Sequence, residues 1–313
     1  MKLKKILVLG DVFVDMTTEI DRFPENIGDS TFGTPISISP GGTAGNVAAG
    51  LGRLKADVSI SSSLGDDENG RYLLNSLKES GADTLGVQIH KEYTTGSVMI
   101  MRNPEGERSI FVLTIGSSHE KLSSECLDYI EECQPDYIYI TGVLLGVFPS
   151  QDTIKKVLEK WKSKARIYFD PNLRYPINAV PQEIVDVMQE ICKLSDVALI
   201  GESERKALFL EPVSNQIFIE KLGKEGSRLV GEKGETIYKA PATKHIAKDA
   251  TGAGDNYAAG YIYAESLGLC VKDSMDFATV ASGLSVTKEG ARSMPSINEI
   301  NTSLENYIKE RGQ

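Results

Sequence analysis

Histidine is scarce in this 313-residue chain. His90, His119 and His245 are scattered without metal-ligand spacing, so each reads as a surface or polar-core residue. Cysteine is scarce too. Cys126, Cys133, Cys192 and Cys270 form no C-x-x-C pair, and a chain of this length needs no disulfide staples. Reduced, buried thiols are expected, and with them a cytoplasmic location. No apolar run approaches a membrane span. The start, Met1-Lys2-Leu3-Lys4-Lys5, is basic, but the apolar Ile6 to Leu9 that follows is too short for a signal peptide. Positive charge is short as well: 34 Lys and Arg against 44 Asp and Glu leave a net charge of -10. That balance argues against nucleic acid and anionic membranes as partners. A bound nucleotide would have to be met locally, by Mg²⁺, backbone N–H groups and a few cations. A G-x-x-x-x-G-K-[ST] loop, a G-x-G-x-x-G turn after the first strand and a G-x-S-x-G elbow are all missing, which leaves P-loop, dinucleotide-binding and α/β-hydrolase readings unsupported. There is no long linker, internal repeat or low-complexity tract.

What is present, 41% hydrophobic and 25% charged residues, suits one large globular domain or one domain with a small companion. Short β-branched runs alternate with helical patterns. Strands are expected at Ile6–Leu9, Val58–Ile60, Tyr137–Ile140, Ile167–Phe169, Val197–Ile200 and Ile217–Ile219. Helices are expected at Asn46–Leu54, Gly70–Ser80, Thr153–Lys162 and Ile184–Cys192, with a C-terminal pair, Asp255–Leu267 and Asp273–Lys288, joined at Gly268. This β-then-α order predicts an α/β fold, a mostly parallel sheet with helices on both faces, whose ligands gather at the carboxyl ends of the strands. Thr17–Pro40 and Tyr93–Ile115 break the pattern. In the second, Ser97–Met101 and Ser109–Val112 flank the turn Asn103-Pro104-Glu105-Gly106, a hairpin signal. The two regions are either surface insertions or, the favoured reading, a small β-sheet standing off the main body.

The most informative stretch is Asp249-Ala250-Thr251-Gly252-Ala253-Gly254-Asp255. A Gly-x-Gly turn crowds backbone N–H groups at the positive end of a following helix, and Asp255 sits in that helix's first turn. The N–H groups suit an anion; Asp255 is a proton acceptor or simply a dipole partner. A second Gly-rich site, Gly41-Gly42-Thr43-Ala44-Gly45-Asn46, also precedes a helix, and Asn46 offers the donor and acceptor a sugar hydroxyl needs. Asp11 and Asp15 follow the first strand; Asp11 is a ligand or a turn residue, and Asp15 is the better ligand candidate. In Asp170-Pro171-Asn172-Leu173-Arg174, the Arg174 guanidinium meets a phosphate, a substrate carboxylate or a surface ion-pair partner. Glu204, entering a helix after Gly201, is a water-mediated Mg²⁺ holder or a dipole partner. Leu222-Gly223-Lys224-Glu225-Gly226 is a phosphate-side loop or a plain turn.

Together and in order, these stretches resemble the ribokinase-like (PfkB) carbohydrate kinases nearly end to end, on the fructokinase and 2-keto-3-deoxygluconate kinase side in the Asp-Pro-Asn-Leu-Arg segment. The resemblance implies a single ribokinase-like kinase domain over 1–313, a three-layer α/β core with a β-sheet lid from about 16–40 and 93–116. It implies Asp255 as catalytic base and Gly252, Ala253 and Gly254 as the anion hole. Asp11, Asp15, Gly41, Gly42 and Asn46 would hold the sugar, with Arg174 and Arg108, or Arg102, for an acidic substrate. Asn172, Glu204, Lys221, Gly223, Gly226 and Ser282 would lie along ATP. Asp249 and Thr251 match two usual K⁺ ligands, and Glu204 would hold Mg²⁺ through water. The implied partners are a sugar or sugar acid and ATP; separately, an exposed lid sheet could pair edge to edge into a homodimer. Three departures stand out: Gly201 in place of the usual Asn of N-x-x-E, Lys55 in place of a Gly at a helix end, and Ala250 in place of Thr or Pro. A nucleoside kinase of the same fold, with Phe23, Phe32 or Tyr93 clamping a base, and a non-catalytic binding protein are the alternatives.

Overall fold

The computed structural model describes residues 4–311; Met1, Lys2 and Leu3 of the basic start lie outside the described residues. In chain order the elements are β1 (Lys5–Leu9), β2 (Phe13–Glu19), β3 (Ser37–Gly41), α1 (Thr43–Arg53), β4 (Asp57–Gly65), α2 (Glu68–Ser80) and β5 (Val87–His90). A hairpin, β6 (Ser97–Arg102) and β7 (Arg108–Leu113), precedes α3 (Cys126–Cys133), β8 (Tyr137–Thr141), α4 (Ser150–Trp161), β9 (Arg166–Asp170) and α5 (Gln182–Leu194). Then come β10 (Val197–Gly201), α6 (Glu202–Ala207), β11 (Ile217–Lys221), β12 (Ser227–Val230) and β13 (Thr236–Ala240). Three helices close the chain: α7 (Ala253–Ser266), α8 (Val271–Ser285) and α9 (Ile297–Arg311).

Among the described residues, nine strands form one sheet in the order β13-β12-β11-β10-β9-β8-β1-β4-β5. Pairing is parallel from β5 through β11, and only β12 and β13 are antiparallel. Both faces are covered, which is why the interior strands are apolar runs rather than alternating patterns. In β1, Ile6 and Val8 pack with α1, α7 and α8, while Leu7 and Leu9 pack with α4 and α5. The helices follow their sequence cues. Asp67 caps α2 by accepting from the Gly70 N–H at 2.7 Å, Leu73 and Leu77 face the core, and Gly81 ends the helix in the left-handed region. Truncating such a leucine costs about 2–5 kcal/mol. Small residues let α1, α7 and α8 approach closely: a Cβ on Gly50 would lie 3.0 Å from the Ala259 Cβ, and one on Gly260 3.1 Å from the Ala278 Cα.

The second sheet has the order β3-β2-β6-β7, with β6 and β7 forming the expected hairpin. It joins the large sheet through β2 and β3, whose register places Asp15 opposite Ser39 and Phe13 opposite Gly41. The cysteines are free, but only Cys126 and Cys192 are buried; Cys133 is half-buried and Cys270 exposed, so burial of all four thiols does not hold. Among the described residues no helix is long and apolar enough to cross a membrane.

Candidate active site

The carboxyl ends of β1, β9, β10 and β11 and the amino ends of α1 and α7 converge. Helix α1 starts here because Gly42 takes φ 83°, and a Cβ on it would lie 2.6 Å from the Val12 Cα. Asp11 is buried and spent on this start: its carboxylate accepts from the Thr43 N–H at 2.7 Å and its carbonyl from the Gly45 N–H at 3.1 Å. Asp15 lies over Gly41, where any side chain would collide with its carboxylate. Burial pushes the Asp15 carboxyl up to about 6, with Asp11 adding to the rise and Arg174 and Arg292 opposing it.

Helix α7 begins at Gly252, which is left-handed at φ 73°; a Cβ there would lie 2.6 Å from the Ala291 carbonyl oxygen. Asp255, in the first turn, is 9% exposed and accepts from the Asn46 Nδ2 at 2.8 Å, across 209 residues of sequence. Burial pushes its carboxyl up to about 7, against the Asn46 bond and the charges of Arg174 and Lys221, while Asp170 adds to the rise. A carboxylate poised near neutrality can take a proton from a hydroxyl. The Asn46 Oδ1 is buried without a partner. The Ala253 N–H is turned back onto the Ala250 carbonyl at 3.2 Å, whereas the Gly252 and Gly254 N–H groups make no such bond among the described residues.

Lys221 closes the other side of the turn. A Cβ on Gly254 would lie 3.6 Å from its ammonium. The ammonium forms an ion pair with fully buried Asp170, reaching across the end of β10 between them. Burial pulls Lys221 down, but Asp170, Glu204 and Asp255 outweigh it and hold the ammonium above its ordinary value. Asp170, with one carboxyl oxygen unpartnered, is raised by burial to about 6 despite Lys221, so the pair is ionised at neutral pH. Arg174 donates from Nη2 to the Thr43 Oγ1 at 2.9 Å, and its charge acts on Asp11, Asp15, Asp170 and Asp255. Asn172, at φ 46°, sits beneath and donates weakly to the Tyr139 hydroxyl at 3.4 Å.

Other expected residues stand around these strand and helix ends. Glu204 accepts from the Leu173 N–H at 2.7 Å and the Gly201 N–H at 2.9 Å; a Cβ on Gly201 would lie 2.7 Å from that same carboxylate. The space beside Gly201 is therefore filled by Glu204 itself. Gly223 and Gly226 both take positive φ in the loop after β11. Ser282 of α8 donates to the Ala253 carbonyl at 2.8 Å. Asp249 accepts from the Thr251 N–H and hydroxyl and from the Gly290 N–H at 3.0 Å, which together hold it below its usual range in spite of burial. Arg108 stands exposed across the hairpin from Arg102 and makes no bond to the cluster among the described residues; Arg102 is the one whose charge reaches Asp249. Among the described residues no group of three His, Cys, Asp or Glu side chains could hold a metal. Two residues escaped the sequence reading. Tyr139, fully buried, has its hydroxyl among Asp170, Asp255 and Asp11. Arg292 packs against Gly41 and Gly45.

A carbohydrate kinase is the class of protein that this fold defines. The model of the pfkB family carbohydrate kinases matches residues 3–298. An uncharacterized sugar kinase of Pyrococcus horikoshii is 30% identical over 269 residues, covering 83% of this chain and 85% of the relative. Its structure in complex with ATP superposes with a TM-score of 0.81 at 27% identity, over 94% of this chain and 96% of that one. A ribokinase of Lactococcus lactis is 28% identical over 310 residues, 96% of this chain and 97% of the relative. The chain belongs to the pfkB family of carbohydrate kinases, and it is a phosphotransferase with an alcohol group as acceptor.

Proposed function

We propose that the protein transfers the γ-phosphoryl group of MgATP to a hydroxyl of a sugar or sugar acid, with Asp255 as the base. The observation that carries this is Asp255 itself: a buried carboxylate raised to about 7, held by Asn46, in the first turn of a helix beside an ammonium. The hydroxyl oxygen attacks the γ-phosphorus in line, its proton passes to Asp255, and ADP leaves. The free Gly252 and Gly254 N–H groups and Lys221 meet the charge of the transferring group, while the Ala253 N–H, bonded to the Ala250 carbonyl, holds the turn in shape, so most of the acceleration is positioning and electrostatics.

In this reading Asp15, Gly41, Gly42 and Asn46 hold the sugar, and Asp11 serves indirectly by fixing the start of α1. The exposed Arg174 guanidinium supports an acceptor with a carboxylate. The loop at Gly223 and Gly226, Asn172 and Ser282 would lie along ATP. Mg²⁺ would arrive with the nucleotide and be held by Glu204 through water, supplying charge neutralisation for the phosphates. Asp249 fits K⁺, since it stays ionised beside Thr251. The small sheet would act as a lid on a single kinase domain. Its outer strand β7 exposes Ile110, Phe111, Val112 and Leu113 at a sheet edge, which supports a homodimer through the lid. The test is Asp255→Asn: ATP binding should persist while sugar-dependent ADP release falls by about 10²–10⁴-fold. Turnover within a few-fold of the parent would remove Asp255 from this role.

A further inference from the structure

Arg292 is a cation in an expensive place. Its Nη1 donates to the Ser76 Oγ of α2 at 2.8 Å and its Nη2 to the Gly41 carbonyl at 3.3 Å, 251 residues away in sequence. Its Nε is buried and has no partner. Among the described residues no carboxylate forms an ion pair with it. A Cβ on Gly45 would lie 2.7 Å from the guanidinium, so a side chain there would push Arg292 out of its place. A half-buried guanidinium with its Nε shielded from water and bonded only to neutral groups adds little to stability, and apolar filling would serve the same place better. Its desolvation is large enough to pull even an arginine down to about 10. What it gains by its location is the sugar end of the cleft: it bonds the backbone of Gly41, and the Asp15 carboxylate sits over the same residue.

We propose that Arg292 is a positioning residue for the acceptor. It clamps the Gly41 end of β3 to α2 and supplies the countercharge that keeps the Asp15 carboxylate ionised above Gly41, ready to accept hydrogen bonds from sugar hydroxyls. This rests on the sugar-kinase reading of the cleft. The charged groups facing Asp15 are Asp11 from the loop after β1, Arg174 from the loop after β9 and Arg292 from the loop after α8. Asp11 disfavours the charged form, and the two arginines favour it. Arg292 alone of these also bonds the backbone of Gly41, the residue over which Asp15 lies.

The experiment compares Arg292→Met and Arg292→Gln with the parent in two readouts. The first is the Asp15 carboxyl titration by carbon NMR, which needs no turnover. Loss of a neighbouring cation raises a carboxyl midpoint, here by roughly a few tenths of a pH unit, since Arg292 is the weakest of the charges acting on Asp15. The second is steady-state kinetics: KM for the sugar should rise at least about tenfold, KM for ATP should stay within about twofold, and the acid limb of kcat/KM, set chiefly by Asp255, should steepen as the Asp15 midpoint rises towards it. Arg292→Gln retains a donor for Gly41 and serves if Arg292→Met does not fold. An unmoved Asp15 midpoint overturns the inference even if the protein is a sugar kinase. So does equal loss for both substrates, which is the mark of a merely structural arginine. If no sugar is turned over by the parent, the kinase reading fails instead, and the Asp15 titration still decides whether Arg292 sets that carboxylate.

Discussion

Asp255→Asn should make the protein more stable at alkaline pH while it removes turnover. The ionised Asp255 carboxylate is held in a buried site, and its proton affinity rises from an ordinary 3.8 to about 7. That is about three units at about 1.4 kcal/mol each, so the charged form costs at most about 4 kcal/mol relative to the unfolded chain. The sign follows from the raised value. Asp255 contributes most favourably below about pH 4, where it is protonated in both states, and that contribution is lost as pH rises to about 7. An Asn at 255 keeps an acceptor for the Asn46 Nδ2 and carries no charge. Its own buried amide takes back about 1–2 kcal/mol. That offset is the same at every pH, so the stability difference between Asp255→Asn and the parent should grow by about 3 kcal/mol from pH 5 to pH 8.5 and then level. For a chain this long that corresponds to a growth of roughly 4 °C in the Tm difference. Scanning calorimetry of both proteins at the two pH values is the assay. A Tm difference equal at both pH values would refute the claim that burial perturbs this carboxylate, and with it the argument that the site is built for a base.

Arg174→Ala should weaken a sugar-acid substrate by about 10–100-fold in kcat/KM and a neutral sugar only a few-fold, the difference being a charged hydrogen bond; equal losses would argue against a carboxylate partner. Lys221→Met strands Asp170 in the core and should cost about 3–5 kcal/mol at pH 8, less at pH 5, where the carboxyl, at about 6 even beside its cation, takes up a proton; denaturant titration at the two pH values measures it. Gly42→Ala forces a side chain into φ 83° against the Val12 backbone and should lower stability by about 1–3 kcal/mol together with a raised sugar KM. Phe111→Asp on β7 should yield a monomer by sedimentation if the lid edge joins two copies.

The parallel core was readable because buried strands such as Ile6–Leu9 and Ile167–Phe169 are continuous apolar runs and their helices carry clear caps and stripes. The short, mixed strands β12 and β13 carry no such period; Ser227–Val230 and Thr236–Ala240 owe their pairing to the sheet edge they meet. Helices α3 and α9 were also hidden, since Cys126–Cys133 and Ile297–Arg311 bury only a few side chains each. In the cleft, the glycine turns announced themselves because Gly42 and Gly252 need backbone angles that other residues avoid. Lone residues did not. Arg292 has no neighbours in sequence that mark it, and Tyr139 reads as one more apolar strand residue. Both acquire meaning only when packing brings segments hundreds of residues apart together. Glu204 was visible, but its use as a backbone clamp beside Gly201 was not, because that depends on the side chain folding back onto its own helix start.

The most direct test of the account is ADP release by the parent protein with MgATP and K⁺ across ketohexoses, pentoses, 2-keto-3-deoxy sugar acids and nucleosides. The account predicts release that depends on a sugar or sugar acid and is absent without one. Release driven by nucleosides alone, or ATP binding with no acceptor-dependent release from any class, would contradict it.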